Sequence, residues 1–175
     1  MGVMQKVESI PFQAIMGISE GVLPLVAYNY ASKNRERMNQ AVRYALSRGF
    51  VCACICFGLY EIFAPVVVGF FINDPQSIVY GAAFVRLRVL ALPFIIVEFM
   101  LIAVFQGVGR AREAFILSIF RKGILDLPLM VIADLLVPMY GVMIVQPFME
   151  FCGCIIALWM YRSFRKSINI QQNNL

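Results

Sequence analysis

The stretch VLALPFIIVEFMLIAVFQGVG, Val89–Gly109, is an apolar run of membrane-spanning length that carries one carboxylate, Glu98, near its middle. About 20 apolar residues at 1.5 Å per residue cross the hydrocarbon layer as a helix. Counting back from Gly107, Glu98 lies roughly 14 Å above the basic edge at Arg110 and Arg112. On the insertion scale an acid at that depth costs on the order of 2.5–3.5 kcal/mol, the figure for Asp. The rest of the chain therefore has to keep this group in protein or water, and away from lipid.

The composition agrees with a bilayer. Hydrophobic residues make up 61% of the 175 and charged residues only 14%, with a mean hydropathy of +0.80, which excludes an ordinary soluble core. The net charge of +5 sits in short loops between apolar runs, so it points to lipid headgroups and not to nucleic acid. Met1 leads through Gln5, Lys6 and Glu8 into an apolar run of span length, so no cleavable signal peptide is expected.

Five spans are predicted, giving an all-α membrane fold, a polytopic bundle of five transmembrane helices. The first covers about Val3 to Tyr30 and contains Gly17 and Gly21, a small-xxx-small pair that favours close helix approach. The basic loop Ser32–Met38 follows. The second span starts on the amphipathic lead Ala41–Arg48 and runs to Phe71. Asn73-Asp74-Pro75 reads as a turn, and Ser77–Arg88 as a helical lead into the third span, Val89–Gly109. The fourth covers about Ala114–Val137, and the fifth about Gly141–Tyr161, with Trp159 and Tyr161 as an interfacial belt. Residues 1–166 thus form the bundle, and the polar residues 167–175 are expected to be a disordered tail.

Apart from Lys6, Arg86 and Arg88, all Lys and Arg residues lie in Lys33–Arg48, Arg110–Lys122 and Arg162–Lys166. In a five-span chain these segments share one side, expected to be cytoplasmic. The amino terminus is then outside and the carboxyl terminus inside. An exported amino terminus with no export signal is what a piece of a longer transporter would look like.

Four acids, Glu20, Glu98, Asp126 and Glu150, come from four different spans at similar depth, roughly 14–20 Å in from the cytoplasmic ends. Four acids facing lipid would be costly, so they are expected to share a polar cavity or pair, as candidate proton carriers. Glu61 lies nearer the outer surface and reads as solvated. Pro24, Pro93, Pro128 and Pro147 each interrupt a span, as in transporter helices near a binding site. Phe94, Phe99, Met100, Met130, Phe148 and Met149 are candidate linings of an adaptable apolar cavity, with helix packing as the plainer role. Arg86 and Arg88 read as snorkelling residues at the outer interface. Successive members of the Cys52, Cys54, Cys56 run are about 200° apart on a helix, which disfavours a shared metal; with Cys152 and Cys154 they read as packing residues. Histidine is absent, as are nucleotide-binding and hydrolase motifs, so no enzyme is expected.

Gly17–Met38, GISEGVLPLVAYNYASKNRERM, resembles the G-x-x-x-G-x-x-P-L-x-x-Y-N-Y-x-x-x-N pattern of multidrug and toxic compound extrusion (MATE) transporters, at their eighth helix. Phe105–Ala111, FQGVGRA, looks like the ending of their tenth helix. Arg121 with Leu127-Pro128-Leu129, then Tyr140-Gly141-Val142, resembles the eleventh helix and the start of the twelfth. The resemblance covers nearly the whole chain. It implies the second half of a twelve-helix fold lacking the first helix of that half, with the amino-terminal lobe as missing partner. It further implies a proton- or sodium-coupled antiporter of the bacterial plasma membrane, exporting lipophilic cationic compounds by alternating access, with no cofactor beyond the coupling ion. In the sodium-coupled branch an Asp of the tenth helix holds the cation. Aligned without gaps on Gln106-Gly107, that position is Ile95, with Glu98 about one turn further on. The alternatives are a lipid-linked sugar flippase of the same superfamily, expected to use basic cavity residues, and a non-transporting truncated membrane fragment.

Overall fold

The computed structural model describes residues 2–71, 73–120, 128, 129, 131 and 141–173. Helix α1 spans Gly2–Ala31, α2 Arg35–Gly69, α3 Pro75–Val89, α4 Leu92–Gly107, α5 Ala111–Ile119 and α6 Gly141–Asn173. Among the described residues there is no strand. Over Ser9–Ala31, α1 is long and apolar enough to cross a bilayer, and α2 is so over its whole length.

Short polar turns set the connections. Lys33 takes a left-handed backbone, φ 57°, and the Asn34 side chain accepts the Arg37 N–H at 3.1 Å to start α2, as N-capping Asn does. Asp74 caps α3 by accepting the Ser77 N–H at 2.9 Å, with Pro75 in the first turn, where its missing N–H costs nothing. The Asp74 carboxyl is held below its ordinary value of 3.8, chiefly by hydrogen bonding from Ser77. Gly109, at φ 75°, closes α4 in a conformation that suits glycine.

The third span departs from expectation. Val89–Gly109 is not one straight helix: α3 and α4 meet at Leu90-Ala91 with a 41° bend. Pro93 lies in the first turn of α4, so the run is divided just before the proline. The 16 residues of α4 reach about 24 Å, short of the roughly 30 Å core. Only α3 and α4 together have the length and composition of a span.

α4 is the centre of the bundle and packs on α1, α2, α5 and α6. Its residues Ile95, Ile96 and Met100–Phe105 are buried on every side, as a helix apolar all round must be. Two glycines let neighbours close on it. A methyl at Gly107 would stand 3.0 Å from the Leu23 carbonyl of α1, and one at Gly49 of α2 would stand 3.0 Å from Ile96 Cγ1. Gly17 and Gly21, the expected close-approach pair, have no described atom within 4 Å of an added methyl.

Prolines inside α1 and α2 leave both helices continuous. Each proline withdraws the donor of the carbonyl four residues earlier. For Pro11 that carbonyl is Val7, and it accepts the Tyr60 hydroxyl of α2 at 3.1 Å. For Pro65 it is Glu61, and it accepts Arg86 Nε of α3 at 3.0 Å. Arg86 also lies 3.8 Å from the half-exposed Glu61 carboxylate. Arg86 therefore ties α3 to α2.

Of the fourth span, α5 and the helical residues Pro128, Leu129 and Val131 are described. Asp126 and Met130 lie outside the described residues. α6 continues past Tyr161 to Asn173, so residues 167–173 are helical where the polar composition suggests disorder.

Candidate functional site

α4 presents its polar and aromatic residues to two different neighbours. Glu98, 2% exposed, turns to α6, where its carboxyl takes the space that a side chain at Gly153 would fill. Glu150, 4% exposed, lies one turn before Gly153 and so on the same face of α6. Cys154, also buried, lies within electrostatic reach of Glu98. Two of the four predicted acids thus meet the α4–α6 seam, while Glu20 lies elsewhere.

Phe99 is about 100° around α4 from Glu98 and faces α1, edge-on to Phe12 with ring centroids 5.4 Å apart. Beside this pair is a groove of about 420 Å³ between α1, α4 and α5. Phe12, Met16, Ser19, Glu20 and Leu23 of α1 line it, facing Phe99, Ile102, Ala103 and Gln106 of α4, with Ser118 of α5. Both sets follow the three- and four-residue spacing of one helix face. Pro24 has no N–H, so the Glu20 carbonyl loses its i+4 donor at the level of this groove. An apolar, aromatic wall with one exposed carboxylate suits a lipophilic cation: the rings cover its body and the acid meets its charge.

The other predicted lining residues divide. Met100 is fully buried and packs toward Gly49 of α2, 3.5 Å from a methyl placed there; it fills the core. Phe94 packs edge-on to Phe151 at 5.3 Å, Met149 is buried, and Phe148 is 58% exposed on the outside of α6. Missed by sequence reasoning were Phe12, Met16, Gln106 and Ser118 in the groove, and Gly153 in the seam. The signal for Phe12, Met16 and Gln106 was their helical spacing from Glu20 and Phe99; Ser118, on another helix, and Gly153 carried none.

A second concavity, about 540 Å³, lies at the basic end of α6 beside Trp159, Arg162, Ser163, Arg165 and Lys166. Its residues are those of a headgroup belt. Among the described residues no group of three or more His, Cys, Asp or Glu side chains is arranged to hold a metal ion.

An apolar helical bundle with one acid, Glu98, on its innermost helix and a second, Glu150, on the helix packed beside it defines a polytopic membrane protein of transporter type. The chain belongs to the MatE family, whose profile matches residues 1–132. It is 25% identical over 174 residues to the multidrug export protein MepA of Staphylococcus haemolyticus, covering 99% of this chain and 38% of that protein. Among solved structures, a MATE-family multidrug transporter in an outward-facing conformation matches with a TM-score of 0.88 at 20% identity. An inward-facing MATE-family transporter matches with 0.86 at 20% identity. These matches cover 96% and 95% of this chain, and 38% and 39% of those chains. The chain thus spans under two-fifths of the relatives it matches, and its all-helical fold is that of the corresponding part of a MATE transporter.

Proposed function

We propose that this chain is the carboxyl-lobe part of a cation-coupled multidrug exporter of the bacterial plasma membrane. An amino-terminal lobe of the same transporter completes it. The observation that carries the reading is the pair of acid positions on two sides of α4: Glu20 in an apolar, aromatic groove, and Glu98 with Glu150 in a buried seam. The groove takes lipophilic cations, and the seam takes the coupling proton or sodium. Ion binding and drug binding oppose each other by favouring different states of the lobe, and rocking of the lobes exposes the site to either side. Support for rocking as a rigid unit comes from the matches above, where this fold is similar in transporters solved facing outward and facing inward. The amino terminus of the chain is outside and its carboxyl terminus cytoplasmic, as the loop charges favour.

The test is drug efflux by the full-length protein, with proton and sodium gradients collapsed separately. Glu20→Gln lowers apparent affinity for a lipophilic cation about tenfold, the worth of about 1.4 kcal/mol of lost ion pairing in a partly hydrated groove. Glu98→Gln abolishes coupled efflux. Wild-type resistance in both variants at normal expression refutes the reading.

A further inference from the structure

From the fit of Glu98 against α6 we infer that Gly153 is a positioning residue for coupling: the absence of its side chain makes the seat in which the Glu98 carboxyl is held. The inference rests on the exporter reading above and names how that site is built. A methyl at Gly153 would lie 2.8 Å from Glu98 Cδ and 3.2 Å from Oε2, well inside the 3.5–4.0 Å of ordinary carbon contact. The atom in the way is therefore the carboxyl itself, the part of Glu98 that has to gain and lose an ion.

The surroundings leave that carboxyl little room. Ile96 and Met100, two residues to either side on α4, are fully buried toward Gly49 of α2. Ala157, one turn beyond Gly153, is fully buried as well. On α6 the titratable groups at this seam are Glu150 and Cys154. The acid of α1, Glu20, lines the groove on the Phe99 side. The buried residues of α2 are Met38, Val42, Gly49, Ala53, Ala64 and Val68, none of them titratable. α3, which also packs on α6, carries Arg88 and Arg86, the latter held at Glu61. An alanine at 153 moves the carboxyl by about 1 Å relative to Glu150 and Cys154, and displacements of that size cost roughly 10–100-fold in a tuned site.

The prediction has a compensating partner. Asp is shorter than Glu by one carbon, so Glu98→Asp withdraws the carboxyl by up to about 1.5 Å and makes room for the methyl. The full-length protein is reconstituted in proteoliposomes, with tetraphenylphosphonium as the transported cation and transport followed against pH. Gly153→Ala lowers coupled transport roughly 10–100-fold and moves the midpoint of the pH profile by about one unit or more. Adding Glu98→Asp to Gly153→Ala recovers transport and returns the midpoint toward wild type. An unchanged profile in Gly153→Ala overturns the inference, and so does a double variant no better than the single one. Thermal unfolding of the four proteins in detergent covers poor folding. If stability is coupled between 98 and 153 but the wild type shows no ion-coupled transport, the exporter reading fails and Gly153 is reduced to a packing residue. If the wild type is ion-coupled and Gly153→Ala leaves its pH profile intact, the exporter reading stands and the positioning role alone is lost.

Discussion

Replacing Tyr60 with phenylalanine isolates one hydrogen bond inside the bundle, the one from its hydroxyl to the Val7 carbonyl at 3.1 Å. That carbonyl has no i+4 donor because residue 11 is proline, and it belongs to a fully buried residue. The ring stays, so packing changes little. Leaving an orphaned acceptor costs about 1–3 kcal/mol in general, and interhelical hydrogen bonds in membranes average about 0.6 with a maximum near 1.7. Tyr60→Phe is therefore expected to cost about 1–1.7 kcal/mol, toward the upper membrane figure because Val7 is fully buried. Pro11→Ala restores an N–H four residues beyond Val7. In that background the Val7 carbonyl has a helical partner, and Tyr60→Phe should cost only a few tenths of a kcal/mol. The assay is equilibrium unfolding of the four proteins by titration of a denaturing detergent into a mild one. Equal costs of Tyr60→Phe with and without Pro11 would show that the hydroxyl does not serve the proline-freed carbonyl, and the account of Arg86 on the Glu61 carbonyl would fall with it.

Two further outcomes are expected. Gly107→Ala forces a methyl to 3.0 Å from the Leu23 carbonyl and 3.2 Å from Val26 Cγ1, and should destabilise the α1–α4 crossing by about 1–3 kcal/mol in the same unfolding titration; no loss would mean that the helices part without cost. Asp74 has a lowered folded-state value, so its capping contribution is complete above its unfolded value near 4 and disappears as pH falls through the lower folded one. Thermal unfolding of Asp74→Ala should accordingly differ from wild type at pH 6 and converge with it as pH falls through the lowered folded-state value.

What could be read from the sequence follows from which signals are local. Spans, caps and turns are local: Asn34, Asp74-Pro75 and Gly109 mark ends where the structure has them. The division of Val89–Gly109 was also within reach, since Pro93 restricts the residue before it and the remaining apolar run is too short to cross alone. The burial of Glu98 follows from depth alone. Its neighbour does not, because α4 is apolar on every face and carries no periodicity to orient it. The expectation that Glu20 and Glu98 share one pocket assumed that similar depth means a common side. The structure separates them by the rotation between residues 98 and 99 on α4.

The same limit explains why prolines and glycines were the least legible residues and are among the most informative in three dimensions. A proline in a membrane helix states that a carbonyl needs a partner but not where the partner is; Tyr60 is 53 residues from Val7, and Arg86 is 25 from Glu61. A glycine states that something comes close but not what does. At Gly107 it is a backbone, at Gly49 an isoleucine, and at Gly153 a carboxyl group. The first two are matters of packing, where an added methyl costs stability whatever the pH. Only at Gly153 does the methyl displace an ionisable group, so only there should one substitution change stability and pH response together. A set of alanine substitutions at 49, 107 and 153 therefore separates close packing from coupling: all three lower stability, and the pH profile moves for Gly153→Ala alone.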